Sequence, residues 1–236
     1  MLGFTKWELG KSNKLSRLRR MPRRRSYDQY CAAARALDAV GDRWTLLIVR
    51  ELLAGPRRYT DLHADLPGVS TDMLASRLKD MERDGLVTRR RLPPPASAYV
   101  YELTDRGAGL LPVLRALAAW GAPALQEPRP TDAVRAHWFA LPLLDVLEAS
   151  AAAPGVVELR LDEGVFHARV GGGAVEYADG PAAGAPDLCL RMDAATCLAV
   201  ARGSLPVGEG VAAGRIEVVG EVGDAFAAVV PGTMRA

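Results

Sequence analysis

The sequence of 236 residues is poor in the residues that build disulfide frameworks and metal sites. It contains only three cysteines, Cys31, Cys189 and Cys197, which are odd in number and widely spaced. This pattern fits neither a disulfide scaffold nor a zinc site. We therefore expect no metal, no cofactor and a reducing, cytoplasmic environment.

Long apolar runs and enzyme motifs are missing as well. No run of about 18 apolar residues is present, and the first 25 residues lack the apolar centre of a secretory signal. There is no Gly-rich phosphate loop, and His63, His137 and His167 stand in no catalytic spacing. We expect no membrane partner, no catalytic residue and no enzyme activity.

What the sequence does have is a strong asymmetry of charge. Residues 1–126 carry 22 Lys+Arg against 13 Asp+Glu, whereas residues 127–236 carry 8 against 15. The halves therefore have net charges of +9 and −7, which sum to the +2 of the whole chain. This asymmetry indicates that only the first half faces a polyanion, unless its arginines simply keep the surface soluble.

Composition and breaks divide the chain into four parts. Residues 1–25 are a basic arm that either contacts DNA phosphates or precedes a biological start at Met21. Residues 26–122 form one domain, the Pro-containing stretch 123–133 is a linker, and residues 134–236 form a second domain.

Apolar spacing in the first domain predicts helices over 28–40, from Asp42 to Gly55, over 61–66, 71–84 and 105–121. Strands are predicted over 86–92 and 99–103. The expected N-caps are Asp42, Thr60, Ser70 and Thr104. This order of elements is the layout of a winged helix-turn-helix.

The second domain is predicted to be a small α+β domain with a mostly antiparallel sheet. Its expected helices cover 134–150, 193–202 and 223–230. Its expected strands cover 156–161, 165–170, 174–178, 187–192 and 215–219.

Many short motifs between Cys31 and Leu125 resemble the HxlR-type winged-helix regulators, relatives of the MarR group. They include Gly41-Asp42-Arg43-Trp44-Thr45-Leu46-Leu47-Ile48, Gly55-Pro56-Arg57-Arg58-Tyr59-Thr60-Asp61-Leu62, Leu74-Ala75-Ser76-Arg77-Leu78-Lys79 and Tyr101-Glu102-Leu103-Thr104-Asp105-Arg106-Gly107. The resemblance implies a regulator, by default a repressor, that binds double-stranded DNA as a homodimer on a palindromic operator. Dimerisation is expected on the first and last helices of this domain, notably the Leu110–Trp120 face.

The resemblance also implies that the helix after the turn enters the major groove. Its outward-facing candidates are Ser70, Thr71, Asp72, Ser76, Arg77 and Lys79. Arg77 is the first candidate for a base or phosphate contact, because a guanidinium engages guanine or phosphate in a bidentate manner. The alternative is that Arg77 only pairs with Asp80 or Asp84.

The hairpin carries Arg89, Arg90 and Arg91, which are expected to neutralise phosphates. Alternation along a strand sends Arg89 and Arg91 to one face and Arg90 to the other. Not all three can therefore meet the same groove.

Cys31 has two interpretations. In relatives, a cysteine near this point senses oxidants or electrophiles, which requires exposure and a lowered pKa. The alternative, which the residues favour, is a small buried apolar residue in the first helix.

Residues 134–236 more loosely resemble a sterol-carrier-protein-like domain, which encloses an apolar cavity. The implied role is to bind an apolar small-molecule effector, to dimerise, or both. The candidate cavity residues, each of which is otherwise plain core, are Trp138, Phe139, Leu143, Leu147, Phe166 and Leu198. The alternative functions are a regulator without a ligand, whose second domain only dimerises, and a redox sensor acting through Cys31.

Overall fold

The computed structural model describes residues 26–125, 129–172 and 176–229, and the chain forms two compact units. One unit ends at Gly41, and the other begins at Asp42. The expected arm 1–25 lies outside the described residues, as do parts of the expected linker and of the expected strand 174–178. The division into domains at 123–133 stays a prediction.

The first unit contains one helix, α1, in its described part. Helix α1 spans Ala32–Val40 and starts later than the predicted residue 28. The delay is caused by contacts with a residue further along the chain, because the Asp38 carboxylate accepts hydrogen bonds from Ser26 Oγ at 2.9 Å and from Tyr27 N at 3.0 Å. These bonds hold the preceding residues beside the helix rather than within it.

The second unit begins with the predicted winged helix-turn-helix. Its helices are α2 (Thr45–Leu53), α3 (Tyr59–Asp65), α4 (Thr71–Arg83), α5 (Asp105–Ala108) and α6 (Leu111–Gly121), and its strands are β1 (Arg57–Arg58), β2 (Val87–Arg91) and β3 (Tyr99–Leu103). The strands form an antiparallel sheet in the order β1-β3-β2. Its buried apolar side chains include Ile48, Leu52, Leu62, Leu74, Leu78 and Met81. The prediction of the fold class is confirmed.

The helix starts are only partly as predicted. Ser70 and Thr104 cap their helices by accepting from the backbone N–H groups of Met73 and Gly107. The assignments of Asp42 and Thr60 as N-caps are wrong, because Trp44 and Arg58 occupy those positions. Asp42 instead accepts a hydrogen bond from Trp44 N at 2.9 Å, just before the helix begins.

The single helix predicted over 105–121 is two helices. Gly107 lies so close to Leu86 that a Cβ there would be 2.1 Å from the Leu86 carbonyl oxygen. This approach holds α5 against the start of the hairpin. Pro112 then lies in the first turn of α6, where proline fits because no N–H partner is needed.

The remainder of the second unit is an α+β arrangement, as predicted. It contains a 3-10 helix (Ala136–Phe139), α7 (Ala140–Ser150), β4 (Gly155–Leu161), β5 (Gly164–Val170), β6 (Glu176–Asp179), β7 (Leu188–Arg191), α8 (Ala194–Ala201), α9 (Val207–Ala212), β8 (Glu217–Val218) and a 3-10 turn (Asp224–Phe226). The strand order is β6-β5-β4-β7-β8, in which only the β4–β7 pair is parallel. In the described residues, no helix is long and apolar enough to cross a bilayer.

Helix α9 is absent from the sequence prediction, because Gly208 and Gly210 make the segment resemble an irregular connection. The structure shows what Gly210 does. A Cβ at this position would lie 2.5 Å from Ile216 Cδ1, so the glycine lets α9 pack directly on a buried isoleucine.

A buried carboxylate joins the winged part of the second unit to the part that follows it. Glu51 of α2 has no exposed surface, and its Oε2 lies 2.7 Å from His137 Nε2. Its Oε1 accepts from Trp138 Nε1 at 2.9 Å and from Arg50 Nε at 2.8 Å. The Arg50 guanidinium also lies over the Trp138 ring, 4.1 Å from its centroid. We call this contact region the seam.

Further ion pairs extend the seam on both sides. The other ring nitrogen of His137 lies 3.5 Å from Asp179 Oδ1, and Asp179 Oδ2 lies 3.0 Å from Arg57 Nη2. Arg135 Nε donates to Asp65 Oδ1 at 2.9 Å. Arg57 Nη1 also lies 3.9 Å from Asp65 Oδ2, so a continuous set of polar contacts links α2, β1 and α3 to the 3-10 helix and to β6, which are distant from them in the sequence.

Burial raises the pKa of Glu51, but the hydrogen bond from His137 and the positive charge of Arg50 more than offset this effect. The net result is a pKa below the ordinary value of 4.5. Glu51 is therefore ionised at neutral pH and has its acceptor sites filled, which is the condition under which a buried charge is tolerated.

We predict that Glu51→Ala lowers the free energy of unfolding by about 3–5 kcal/mol, because it leaves His137 and Arg50 without their buried partner. Urea unfolding at pH 7 measures this loss. Glu163→Ala, in the exposed β4–β5 turn, is the matched control and should change stability by less than about 0.5 kcal/mol.

The folded-state pKa of Glu51 is lowered, so the contribution of Glu51 to the free energy of unfolding is present above pH 4.5 and is lost as the pH falls below that value. An equal stability gap between wild type and Glu51→Gln at pH 7 and at about pH 4 would contradict this account.

Candidate nucleic-acid interface

Helix α4 presents a polar face beside the hairpin. Its apolar side, Leu74, Leu78 and Met81, is buried. The candidates on the opposite side that the structure leaves exposed are Ser70, Thr71, Asp72, Ser76 and Lys79. These five residues lie where a partner can reach them.

Arg77 differs from the other candidates. Its Nη2 lies 2.9 Å from Asp42 Oδ2 and its Nη1 lies 3.3 Å from Asp80 Oδ2, while only 15% of the side chain is exposed. The guanidinium is thus committed to two carboxylates, one of them the predicted alternative partner Asp80. The structure favours a role for Arg77 in fixing α4 to the residues that precede α2, and it gives no support to Arg77 as the first candidate for a base contact.

The three hairpin arginines lie on two faces, as strand alternation predicts. Arg89 pairs across the hairpin with Tyr101, and Arg91 pairs with Tyr99, so these four side chains share a face. Arg90 lies on the other face and forms an ion pair with Glu102, with Nε 2.9 Å from Oε2. Arg89 and Arg91 have no acidic partner in the described part of the chain.

A concavity of about 420 Å³ lies between α4 and the hairpin, and we call it the wing concavity. It is lined by Tyr59, Ala75, Lys79, Glu82, Arg89, Tyr99 and Tyr101. The Arg89 guanidinium lies over the Tyr99 ring, 4.0 Å from its centroid, and this cation–π contact orients it. Lys79 of α4 and Arg89 of β2 therefore converge on one surface.

Sequence reasoning missed Tyr99 and Tyr101 as members of this site. The signal is present in the sequence, because they occupy alternate positions of β3 and so share a face with Arg89 and Arg91. Burial raises the pKa of Tyr101, which keeps its hydroxyl protonated and able to donate a hydrogen bond. Tyr59 plays a different part, since its hydroxyl donates to the Thr71 carbonyl oxygen at 2.7 Å and holds the start of α4.

Cys31 is exposed and occupies the N-cap position of α1. The interpretation as a small buried apolar residue is therefore wrong. The backbone N–H groups of Ala34 and Ala33 in the first turn lower the pKa of the Cys31 thiol. Cys189 and Cys197 are buried, and burial raises the pKa of both thiols, that of Cys197 to about 12.

The candidate effector residues belong to the packed interior or to the seam. Leu143, Leu147 and Phe166 are at most 2% exposed, and Trp138 is held by Glu51. Phe139 and Leu198 are half-buried. None of the six lines the wing concavity or the concavity formed by residues such as Leu52, Leu103 and Tyr177. Their interpretation as plain core is the one that the geometry favours.

Comparison with known proteins identifies relatives of the winged part. The model of the family described as HxlR-like helix-turn-helix matches residues 39–128. The HTH-type transcriptional regulator YvaP of Bacillus subtilis, described as uncharacterized, is 38% identical over 86 residues, which are 36% of this chain and 80% of YvaP. YodB, an HTH-type transcriptional regulator of the same organism, is 36% identical over 85 residues, or 36% of this chain and 76% of YodB. The similarity covers the winged part and leaves most of the residues after it unmatched.

We predict that Arg77→Ala lowers the free energy of unfolding by about 1–2 kcal/mol, because it removes charged hydrogen bonds at a half-buried position. A double-mutant cycle with Asp42→Asn should give a coupling energy of at least about 0.5 kcal/mol, measured by urea unfolding. Lys79→Ala, on the exposed side of the same helix, is the control. Strict additivity of Arg77→Ala and Asp42→Asn would show that the ion pair does not fix α4.

Proposed function

We propose that this chain, which belongs to the HxlR-like helix-turn-helix family and is a transcriptional regulator of that type, represses transcription by binding a palindromic operator as a homodimer. The observation that carries the proposal is the wing concavity, where Lys79 and Arg89 converge beside the exposed start of α4. Neither cation forms an ion pair with a carboxylate in the described residues, although Glu82 also lines this concavity.

The residues divide into two roles. The N-terminal face of α4, with Ser70, Thr71, Asp72 and Ser76, enters the major groove and meets base edges, as the second helix of a helix-turn-helix does. Phosphate contacts come from Lys79, Arg89 and Arg91, supported by the Tyr99 and Tyr101 side chains. These contacts position the protein without reading sequence.

The partners of Arg90 and Arg77 argue against these roles. Arg90 is on the opposite face of the hairpin and is paired with Glu102. Using Arg77 would require breaking its pairs with Asp42 and Asp80. Specificity therefore depends on the short polar side chains of α4 rather than on Arg77.

An exposed apolar face supports the homodimer. On α6, Val113 and Leu117 are 43% and 44% exposed, and Trp120 is 84% exposed. Such a set of large apolar side chains along one helix is the usual mark of an interface. A two-fold dimer formed through this face matches a two-fold operator.

The residues after the winged part take no share in DNA binding, because they carry a net charge of −7. Their contribution is to hold α2 through the seam and to offer a second surface for dimerisation or for an effector. The ionic contacts of Glu51 and Asp65 with this part provide the physical connection.

We predict that the dependence of operator affinity on salt separates the hairpin arginines. The slope of log K against log salt should become shallower by about 0.9 for each phosphate that is no longer neutralised, so Arg89→Ala/Arg91→Ala, which removes four arginines from the bound dimer, should reduce it by about 3.6. Arg90→Ala, adjacent in sequence but on the other face, is the matched control and should leave the slope unchanged. The measurement is a fluorescence-anisotropy titration on a fragment of the DNA upstream of its own gene, with a genome-fragment selection if that fragment fails.

Stoichiometry and specificity complete this test. The proposal requires two chains per operator and weaker binding of random duplex of the same length. An equal reduction of the slope in Arg90→Ala and in Arg89→Ala/Arg91→Ala would refute the assignment of faces. Absence of any selected fragment would refute the proposed binding to an operator.

A second candidate function rests on Cys31. The thiol is exposed, and the first turn of α1 lowers its pKa, which are the two conditions for reaction with oxidants or electrophiles. In that case an oxidant or electrophile would act on the protein at the start of α1.

We predict that iodoacetamide alkylates Cys31 before Cys189 and Cys197, because only the thiolate reacts and burial keeps the other two protonated. Mass spectrometry of tryptic peptides over a pH series measures the order. Cys31→Ser is the control and should leave only slow alkylation. Comparable rates at all three cysteines would remove the case for a sensor.

A further inference from the structure

A second concavity, of about 480 Å³, lies where the winged part meets strand β6, and we call it the seam concavity. Its apolar walls include Leu52 at the end of α2, Leu103 of β3 and Tyr177 of β6. Its volume is within the range of sites that take small organic molecules, and its lining is mostly apolar with a few polar groups, as such sites are.

The polar groups of the seam concavity are acidic. Glu102 and Glu176 both line it, and no lysine, arginine or histidine does. Glu176 is exposed, and its side chain forms no ion pair in the described residues, although Arg169 lies opposite it in the β5–β6 pair. Glu102 has Arg90 as its partner, but 27% of its side chain remains exposed.

Tyr177 forms a fixed wall of this concavity. It is 6% exposed, and its hydroxyl donates to the Arg50 carbonyl oxygen at 3.3 Å, directly beside the buried Glu51. The wall is therefore held by the same seam that joins the two parts of the unit. A preformed apolar wall lowers the ordering cost of binding.

We propose that the seam concavity binds an apolar small molecule that carries one cationic group, such as a hydrophobic amine. The apolar body is buried against Leu52, Leu103 and Tyr177, and the cation meets Glu176, with Glu102 shared between the ligand and Arg90. An anionic molecule of the same shape is rejected by the two carboxylates. This assignment goes beyond the DNA-binding function and does not depend on it.

The test uses three probes with the same ring system and different charge. They are 1-naphthylmethylammonium, 1-naphthylmethanol and 1-naphthoate, titrated calorimetrically into the full chain at pH 7 without DNA. The cation should bind about fivefold more tightly than the alcohol, the gain expected from a partly exposed charge pair, and the alcohol more tightly than the anion.

Two variants locate the binding. Glu176→Gln should reduce the affinity of the cation to that of the alcohol and leave the alcohol unchanged, whereas Glu163→Gln, outside the concavity, should change neither. Ala108→Phe places a ring in the concavity and should weaken all three probes by more than tenfold. The urea unfolding curve of Ala108→Phe checks that the fold is intact.

Several results would overturn the proposal. Equal affinity for the three probes, or a preference for the cation that survives Glu176→Gln, would show that the carboxylate does not select the ligand. If no probe binds the full chain, the seam concavity does not bind an apolar cation and the proposal fails. Monomers of Ala108→Phe in light scattering, where the wild type is a dimer, would then identify a second copy of this chain as the occupant.

Because no DNA is present, loss of probe binding leaves the regulator function standing. Loss of operator binding likewise leaves the ligand site standing.

Discussion

The ionised carboxylate of Glu51 is the constraint on which the second unit depends. A charge with no exposed surface is tolerable only when its acceptor sites are filled, and His137, Trp138 and Arg50 fill them. Two of these three donors come from the 3-10 helix after the winged part. The winged part therefore carries a group that would be costly to bury without the residues that follow it.

Helix α2 is held near both of its ends. Near its C-terminal end, Glu51 fixes it to the 3-10 helix. Just before its N-terminal end, Asp42 pairs with Arg77 of α4 at 2.9 Å. The seam and the candidate DNA-binding helix are thus connected through one short, buried helix. Any change at the seam has a direct physical route to α4, since packed elements move as bodies rather than deform continuously.

The sequence predicted those elements whose signals are local. Ser70 followed by the apolar spacing of Leu74, Leu78 and Met81 located α4, and alternation in β2 separated Arg90 from Arg89 and Arg91. The predicted helix boundaries were wrong where a contact with a residue distant in the sequence sets them. The break between α5 and α6 depends on the approach of Gly107 to Leu86, and the start of α1 depends on Asp38 holding Ser26 and Tyr27.

The role of Arg77 and the existence of the seam needed long-range information. Asp42 is 35 positions before Arg77 in the sequence, and His137 is 86 positions after Glu51. The spacing of apolar residues along the sequence gives no information about pairs that are so far apart. One local sign was present, because Glu51 lies on the buried side of α2, next to the apolar residues Ile48 and Leu52. A carboxylate in that position requires a partner, but the sequence does not say where the partner is.

The central claim is that the residues from Asp42 onward form one cooperative unit fastened at Glu51. Differential scanning calorimetry of the full chain tests it most directly. The account predicts a single transition for this unit, with a calorimetric enthalpy equal to the van't Hoff enthalpy. Two separate transitions, one for the winged part and one for the residues after it, would contradict it.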